Sequence, residues 1–295
     1  MKIAVTGASG LIGTALVPAL RQDGHEVVRF VRGRADAPDE RSWDPSSRQL
    51  EPAAVADLDA VIHLAGAGVA DKRWTPARRK VVLDSRVEGT GAIATAMAKA
   101  GGPRILLSAS AIGWYGDTGD RLTDETGPPG EGFLADVCRQ WEGATAPAQA
   151  AGLRVAHLRT GIVLSGRGGI VGRQLLLFKA CLGARLGSGR QWVSWISLRD
   201  EVAAIRHCLT ADVAGPVNLV APSPVTNREF TKALGRAVHR PTLPVAVPGL
   251  ALRLALGDFA QEGILIGQRL RPAVLHRTGF TFVDPDLAAG LRASL

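Results

Sequence analysis

The chain has 295 residues, 46% of them hydrophobic, enough for one large domain or a domain with a smaller lobe. Unbroken apolar runs such as Leu175 to Phe178 fall far short of the about 20 residues a membrane span needs, so no transmembrane helix and no membrane partner are expected. The formal charge is +8, but only six of the 35 cationic residues are lysine and the arginines are spread along the chain. No nucleic-acid recognition motif accompanies them, so the excess reads mainly as compositional background and no nucleic-acid partner is expected.

Lys2 to Thr6 reads as a strand ending in Gly7-Ala8-Ser9-Gly10-Leu11-Ile12-Gly13, after which Ile12, Leu16, Val17 and Leu20 recur with helical spacing. The direct entry into a strand leaves no room for a leader pattern. With Cys138, Cys181 and Cys208 scattered and lacking any C-x-x-C, it predicts a cytoplasmic protein without disulfides or zinc. Gly24 stands where a helix C-cap belongs, and Glu26 to Val31 is a second strand, followed by a loop carrying Asp36, Asp39 and Glu40. Ala60 to Leu64 and Arg104 to Ser108 are further strands. Between them Thr75-Pro76 opens a long helix, striped by Leu83, Val87, Ile93 and Met97 and closed before Gly101. A loop rich in Gly, Asp and Pro leads to a helix from about Phe133 to Ala151 and the strand Arg154 to Leu158. Then come a Gly- and Arg-rich stretch, the strand Trp192 to Ser197, a helix near Asp200 to Thr210 and the strand Val217 to Val220. Thr226-Asn227-Arg228-Glu229 fits a capping box heading a helix to about Val238.

This alternation predicts an α/β fold: a doubly wound parallel Rossmann sheet from residues 1–165 and 195–222, with a smaller substrate and C-terminal lobe from 166–194 and 223–295. Gly7, Gly10 and Gly13, with Ser9, Leu11 and Ile12 between them, lie between a strand and a helix. There glycine permits the tight turn and lets backbone N–H groups approach a pyrophosphate. The second strand ends in Arg32-Gly33-Arg34 instead of the acidic residue that would accept from a ribose 2′-hydroxyl. Guanidinium suits a 2′-phosphate, so the expected cofactor is NADP(H), held by Arg32 first and Arg34 next; the alternative is that both are solvated loop arginines.

Over nearly its whole length the chain resembles the atypical extended short-chain dehydrogenases/reductases, in the epimerase-family (nucleoside-diphosphate-sugar epimerase-like) branch with its short C-terminal domain. The likeness rests on the glycine loop, Leu64-Ala65-Gly66-Ala67, Arg73-Trp74, Ser85 to Thr90, Ser108 to Gly116, Leu158 to Gly161, Gly215 to Asn218, and Arg271-Pro272 through Phe282. Ser197 departs from it, where histidine would be expected. The resemblance implies that Leu64, Ala65 and Gly66 line the cofactor, that Ser85 and Arg86 face it from the long helix, and that Ser108 and Ser110 lie near the nicotinamide. For Ser85 and Ser110 an ordinary helix or turn role is the alternative.

The superfamily's Tyr-x-x-x-Lys pair is missing. The only tyrosine is Tyr115, no lysine lies between Lys99 and Lys179, and the expected helix has Phe133 or Leu134 at the tyrosine's place and Cys138 at the lysine's. Two readings follow. In one, an oxidoreductase or epimerase-like enzyme acts on a small anionic or carbonyl-bearing substrate, with Ser110 and Tyr115 as its catalytic residues and a lid carrying Arg167, Arg173, Arg185 and Arg190. In the other, the protein binds NADP(H) without turnover, as a regulator or scaffold. Tyr115 packing a loop is an equal alternative to catalysis, with Asp117, Cys138 and Glu142 behind it as proton donors; Glu142 otherwise reads as a surface or helix-end residue, no metal site is expected, and oligomerisation stays open.

Overall fold

The computed structural model describes residues 1–295. Its centre is a seven-stranded, all-parallel sheet in the order β3-β2-β1-β4-β5-β6-β11. Here β1 is Lys2–Thr6, β2 Glu26–Arg32, β3 Glu40–Trp43, β4 Ala60–His63, β5 Ile105–Ala111, β6 Arg154–Thr160 and β11 Gly215–Leu219. Side chains alternate across each strand, and both faces are covered. Ile3, Val5, Ile62, Leu107 and Leu158 pack under α1 (Gly13–Gln22) and α6 (Leu198–Thr210), while Ala4, Val28, Val61, Leu106 and Val155 pack under α2 (Pro76–Ala100). Strand order reverses between β1 and β4, and the crevice outside their carboxyl ends is where open α/β sheets bind ligands.

The remaining elements are α3 (Phe133–Gly143), α4 (Ala146–Ala150), β7 (Ile162–Leu164), α5 (Gly169–Lys179), β8 (Arg185–Leu186), β9 (Trp192–Val193), β10 (Trp195–Ser197), β12 (Val225–Thr226), α7 (Asn227–Ala237), β13 (Ala246–Val247), α8 (Gly249–Leu256), α9 (Asp258–Gly263), α10 (Ala273–Arg277) and α11 (Leu287–Ser294). Val171 and Phe178 of α5, Phe230 and Leu234 of α7, and Leu287 and Leu291 of α11 close a separate apolar cluster around Trp195. Val274 and Leu275 of α10 instead join the core of the main sheet, which ties the C-terminal segment to the Rossmann layer. No helix is long and apolar enough to cross a membrane.

Local chemistry explains the element ends. Thr75 caps α2 by accepting from the Arg78 N–H at 3.1 Å, and Gly101 ends it at φ +68°. Thr226 and Glu229 form the reciprocal capping box of α7.

Four expectations need correction. Glu40 begins β3 instead of lying in a loop: this short edge strand is held by charge, with Arg29 pairing to Asp39 and Glu40, so it lacks an apolar period. The helix expected over 133–151 is two helices, because Pro147 in the first turn of α4 has no N–H to continue the ladder from α3. The strand expected over Trp192 to Ser197 divides at Ser194 into β9 and β10, which pair with β12 and β7 respectively. The stripe on α2 is rotated: Ile93 and Met97 are buried, but in its first half Val82 and Arg86 face inward while Leu83 and Val87 are only half-buried.

Candidate active site at the carboxyl edge of the sheet

The turn after β1 is built for close backbone approach. Gly7 has φ +67°, and a Cβ there would meet the Leu64 carbonyl carbon at 2.9 Å. A Cβ on Gly10 would stand 3.2 Å from the Gly7 carbonyl oxygen and one on Gly13 only 2.3 Å from it. The Gly10 N–H is donated to Gly7 and that of Thr14 to Gly10, but those of Leu11, Ile12 and Gly13 find no backbone or side-chain acceptor. Helix α1 has no side-chain N-cap and no acid in its first turn. Three free N–H groups at a helix N-terminus make an anion cradle. Ser9 and Gly10 are exposed beside it, and Leu11 reaches across to α5, where a Cβ on Gly168 or Gly169 would stand 3.5 or 3.4 Å from its side chain.

Thr6 shapes the second wall. Its hydroxyl accepts from the N–H groups of Leu64 (3.1 Å) and Ala65 (3.2 Å), so its own proton goes to His63 Nδ1 at 2.7 Å. His63 is thereby the neutral Nε2–H tautomer, and complete burial pushes its pKa down to about 4. Leu64 and Ala65 are half-buried and Gly66 is exposed, bordering the crevice. Ser85 Oγ accepts from the Ala67 N–H at 3.1 Å and donates to the Val82 carbonyl, so its side chain shapes this wall rather than presenting a free hydroxyl. At the end of β2, Arg32 is exposed and forms no ion pair, while Arg34 is 89% exposed with Asp36 at 3.4 Å.

Ser108 and Tyr115 are buried in this conformation. Ser108 sits inside β5 with no exposed surface, its nearest acceptor the Ala109 carbonyl at 3.4 Å. Tyr115 is 3% exposed; its hydroxyl donates to Asn218 Oδ1 at 2.7 Å and accepts from Arg159 at 3.0 Å. Burial pushes the phenol up to about 12. A phenol so bonded and so weakly acidic is a packing group in this conformation, and proton donation by Tyr115 is not supported. Ser110 is buried to the same degree, at 4% exposed, and donates to Glu142 Oε1 at 2.7 Å.

Glu142, expected at the surface, is the hub of a buried network. Arg159 grips it with two parallel bonds of 2.8 and 2.9 Å, stacks at 3.9 Å on Trp114 and bonds Tyr115, while Glu125 accepts from the Asn218 and Val274 N–H groups. The signal in the sequence is a charged residue, Arg159, next to Leu158 within the buried stretch of β6. Cys138, at the position of the missing lysine, points to the Ala111 carbonyl, and burial pushes its thiol up to about 12.

A second buried acid is Glu201 in the first turn of α6. Thr160 donates to one oxygen at 2.9 Å, the other has no partner, and burial pushes the carboxyl up to about 8. Between about pH 4.5 and 8 the folded protein holds a proton that the unfolded chain has lost, so stability contributed here falls as pH rises, by up to about 1.4 kcal/mol per unit. Denaturant unfolding at pH 6 and pH 8 should show the drop in the wild type and a flatter response in Glu201→Gln.

The model of the NAD dependent epimerase/dehydratase family matches residues 3–220, and a domain of unknown function, DUF1731, matches 247–294. The chain belongs to the NAD dependent epimerase/dehydratase family. Among curated members it is 50% identical to the epimerase family protein Mb2239 of Mycobacterium bovis, over 95% of this chain and 93% of that protein. The crystal structure of human epimerase family protein SDR39U1 with NADPH superposes at a TM-score of 0.91 with 32% identity, covering 100% of this chain and 99% of that one. A nucleoside-diphosphate sugar epimerase from Corynebacterium glutamicum superposes at 0.81 with 35% identity, covering all of this chain and 59% of that one. This member of the epimerase/dehydratase family therefore carries the glycine turn, the β1–β4 switch point and the C-terminal domain together. No cluster of three or more His, Cys, Asp or Glu is placed to hold a metal ion.

Proposed function

We propose that this protein binds NADP(H) and is an oxidoreductase or epimerase-like enzyme acting on a small molecule. The observation that carries the reading is the anion cradle at the head of α1, where the N–H groups of Leu11, Ile12 and Gly13 have no protein acceptor. Glycine at 7 and 13 is sterically required there and a Cβ at 10 would be tight, so the turn fits a pyrophosphate at backbone distance. Arg32 decides between cofactors: it is an unpaired guanidinium at the strand end where a 2′-hydroxyl would need a carboxylate. The crystallisation of the human relative with NADPH supports this choice.

A bound nicotinamide supplies or accepts a hydride. The chain's own residues hold it in place: Gly7, Gly10 and Gly13 admit the pyrophosphate, Ser9 borders it, Leu64, Ala65 and Gly66 form the facing wall, and Ser85 fixes that wall through the Ala67 N–H. Arg34 assists Arg32 at the rim. Ser110 is the hydroxyl proposed for the substrate oxygen; it is buried here and bonded to Glu142, and it would serve only by turning from that bond. A second reading, cofactor binding without turnover, is favoured by the enclosure of Tyr115 and by the absence of any lysine between Lys99 and Lys179. NADPH oxidation over a panel of carbonyl compounds separates the two, and activity that disappears in Ser110→Ala would establish the enzyme.

For the cofactor, titration of NADPH and NADH into the wild type and Arg32→Ala is the test. Loss of one charge-assisted phosphate contact, about 1.5–3 kcal/mol, should weaken NADPH binding roughly ten- to hundred-fold and leave NADH unchanged. Equal NADPH affinity in both proteins would remove Arg32 from the site.

A further inference from the structure

Helix α3 has no cap of its own: its N-cap residue is Gly132, which has no side chain to accept from the first N–H groups. The acceptor comes from α9, 128 residues away, where Glu262 Oε2 takes the Leu134 N–H at 2.9 Å. Gly132 has φ +100°, and a Cβ there would stand 2.9 Å from that same oxygen, so glycine at 132 is what admits the carboxylate. Glu262 is half-buried, and its other oxygen, Oε1, has no partner in the protein. Arg79, which lies over the Phe133 ring at 5.1 Å, is already bonded to Asp258 at 2.5 Å and leaves Glu262 without a counter-ion.

The contacts of α3 place this carboxylate. Glu142, Cys138 and Leu134 recur every fourth residue on one face of the helix and meet successive points along the exit from β5. Glu142 accepts from Ser110 Oγ at 2.7 Å, Cys138 Sγ lies 3.6 Å from the Ala111 carbonyl, and a Cβ on Gly113 would stand 3.3 Å from the Leu134 Cβ. The head of α3 therefore overhangs the carboxyl edge of the sheet beside β4, where ligands of open α/β sheets bind. Trp74, in the loop after β4, packs on Phe133 at 5.0 Å and on Phe259 of α9 at 5.5 Å, which holds α9 against that head. Leu134 stands four residues before Cys138, the spacing of the missing tyrosine and lysine.

A carboxylate anchored through one oxygen, with the other free at the positive end of a helix, is oriented for proton exchange. We propose that Glu262 is the proton-exchanging residue of the site, carried into it by the C-terminal domain, and that the substrate is an alcohol or the corresponding carbonyl compound. Glu262 Oε1 takes the proton of the substrate hydroxyl as the carbinol C–H bond breaks; the electron pair of that bond leaves with the hydrogen as hydride to the oxidised nicotinamide, and the C–O bond becomes C=O. In reduction the protonated Glu262 returns the proton to the carbonyl oxygen. The proposal rests on the enzyme reading for its hydride acceptor.

Two measurements separate this role from that of a cap. The first needs no turnover: carbodiimide coupling of glycinamide, read by peptide mass spectrometry, should modify Glu262 in the free protein and should cease at saturating NADP⁺, with saturation established by titration of the same sample. The second compares variants. Glu262→Gln keeps an oxygen for the Leu134 N–H but cannot exchange a proton, so NADPH oxidation over the carbonyl panel should fall at least about a hundred-fold while melting temperature and NADPH affinity stay as in the wild type. Glu262→Ala should lose activity and melting temperature together. Coupling that is absent, or unchanged by bound NADP⁺, overturns the proposal, as does Glu262→Gln with wild-type turnover, which leaves Glu262 a cap and the enzyme reading intact. A wild type that turns over no compound of the panel, or binds no NADP⁺, instead overturns the reading of the site and the proposal with it.

Discussion

Gly13→Ala is expected to lose NADPH affinity by at least about a hundred-fold, which corresponds to roughly 2.7 kcal/mol. The added methyl would lie 2.3 Å from the Gly7 carbonyl oxygen and 2.7 Å from the Ala8 Cα, both rigid backbone atoms, so the turn itself has to move. Moving it misaligns the free N–H groups of Leu11, Ile12 and Gly13, and α1 can no longer sit close to β1. Overpacking of this kind costs about 1–3 kcal/mol of stability as well. Gly91→Ala is the matched control. It lies in the middle of α2 with nothing within 4 Å of the added Cβ, so it should leave binding intact and raise stability by about 0.5–1 kcal/mol. Fluorescence titration with NADPH and a denaturant curve for each variant measure both effects; Gly13→Ala binding as the wild type does would mean that the turn is not the phosphate site.

The second large effect concerns the network under the site. Glu142→Ala should destabilise the fold by about 3–5 kcal/mol, because it leaves the 3%-exposed Arg159 guanidinium without its two parallel bonds and Ser110 without its acceptor. The double replacement Glu142→Met with Arg159→Met removes both charges and should recover much of that loss, as buried pairs exchanged for apolar groups commonly do. Urea unfolding of the wild type and the two variants measures the loss and its recovery. If Glu142→Ala costs less than about 1 kcal/mol, the pair is not the structural hub described above.

What could be read from the sequence and what could not follow from the range of the interactions. The glycine turn, the caps at Thr75 and Thr226 and the strand-helix alternation are local patterns, and residues close in sequence carry them. The seven-stranded sheet followed because alternating buried strands and helices admit few topologies. The network of Ser110, Tyr115, Glu142, Arg159 and Asn218 joins residues up to 103 positions apart, and no period marks it. The sequence alone leaves catalysis and loop packing equally open for Tyr115, because Asn218 comes from β11, and it does not show Glu142 as buried, because Arg159 comes from β6. Edge strand β3 was missed because charge pairs, not apolar alternation, hold it. Arg86 was placed facing the cofactor by resemblance; that it is buried with no carboxylate partner is visible only in three dimensions.

The central claim is that the cradle at α1 and the arginine at the end of β2 together select NADP(H). Titration of the wild-type protein with NADPH and with NADH under the same conditions tests it most directly. The account predicts saturable NADPH binding at least about ten-fold tighter than NADH, the difference made by one 2′-phosphate contact. NADH binding as tightly as NADPH, or no binding of either, would contradict it.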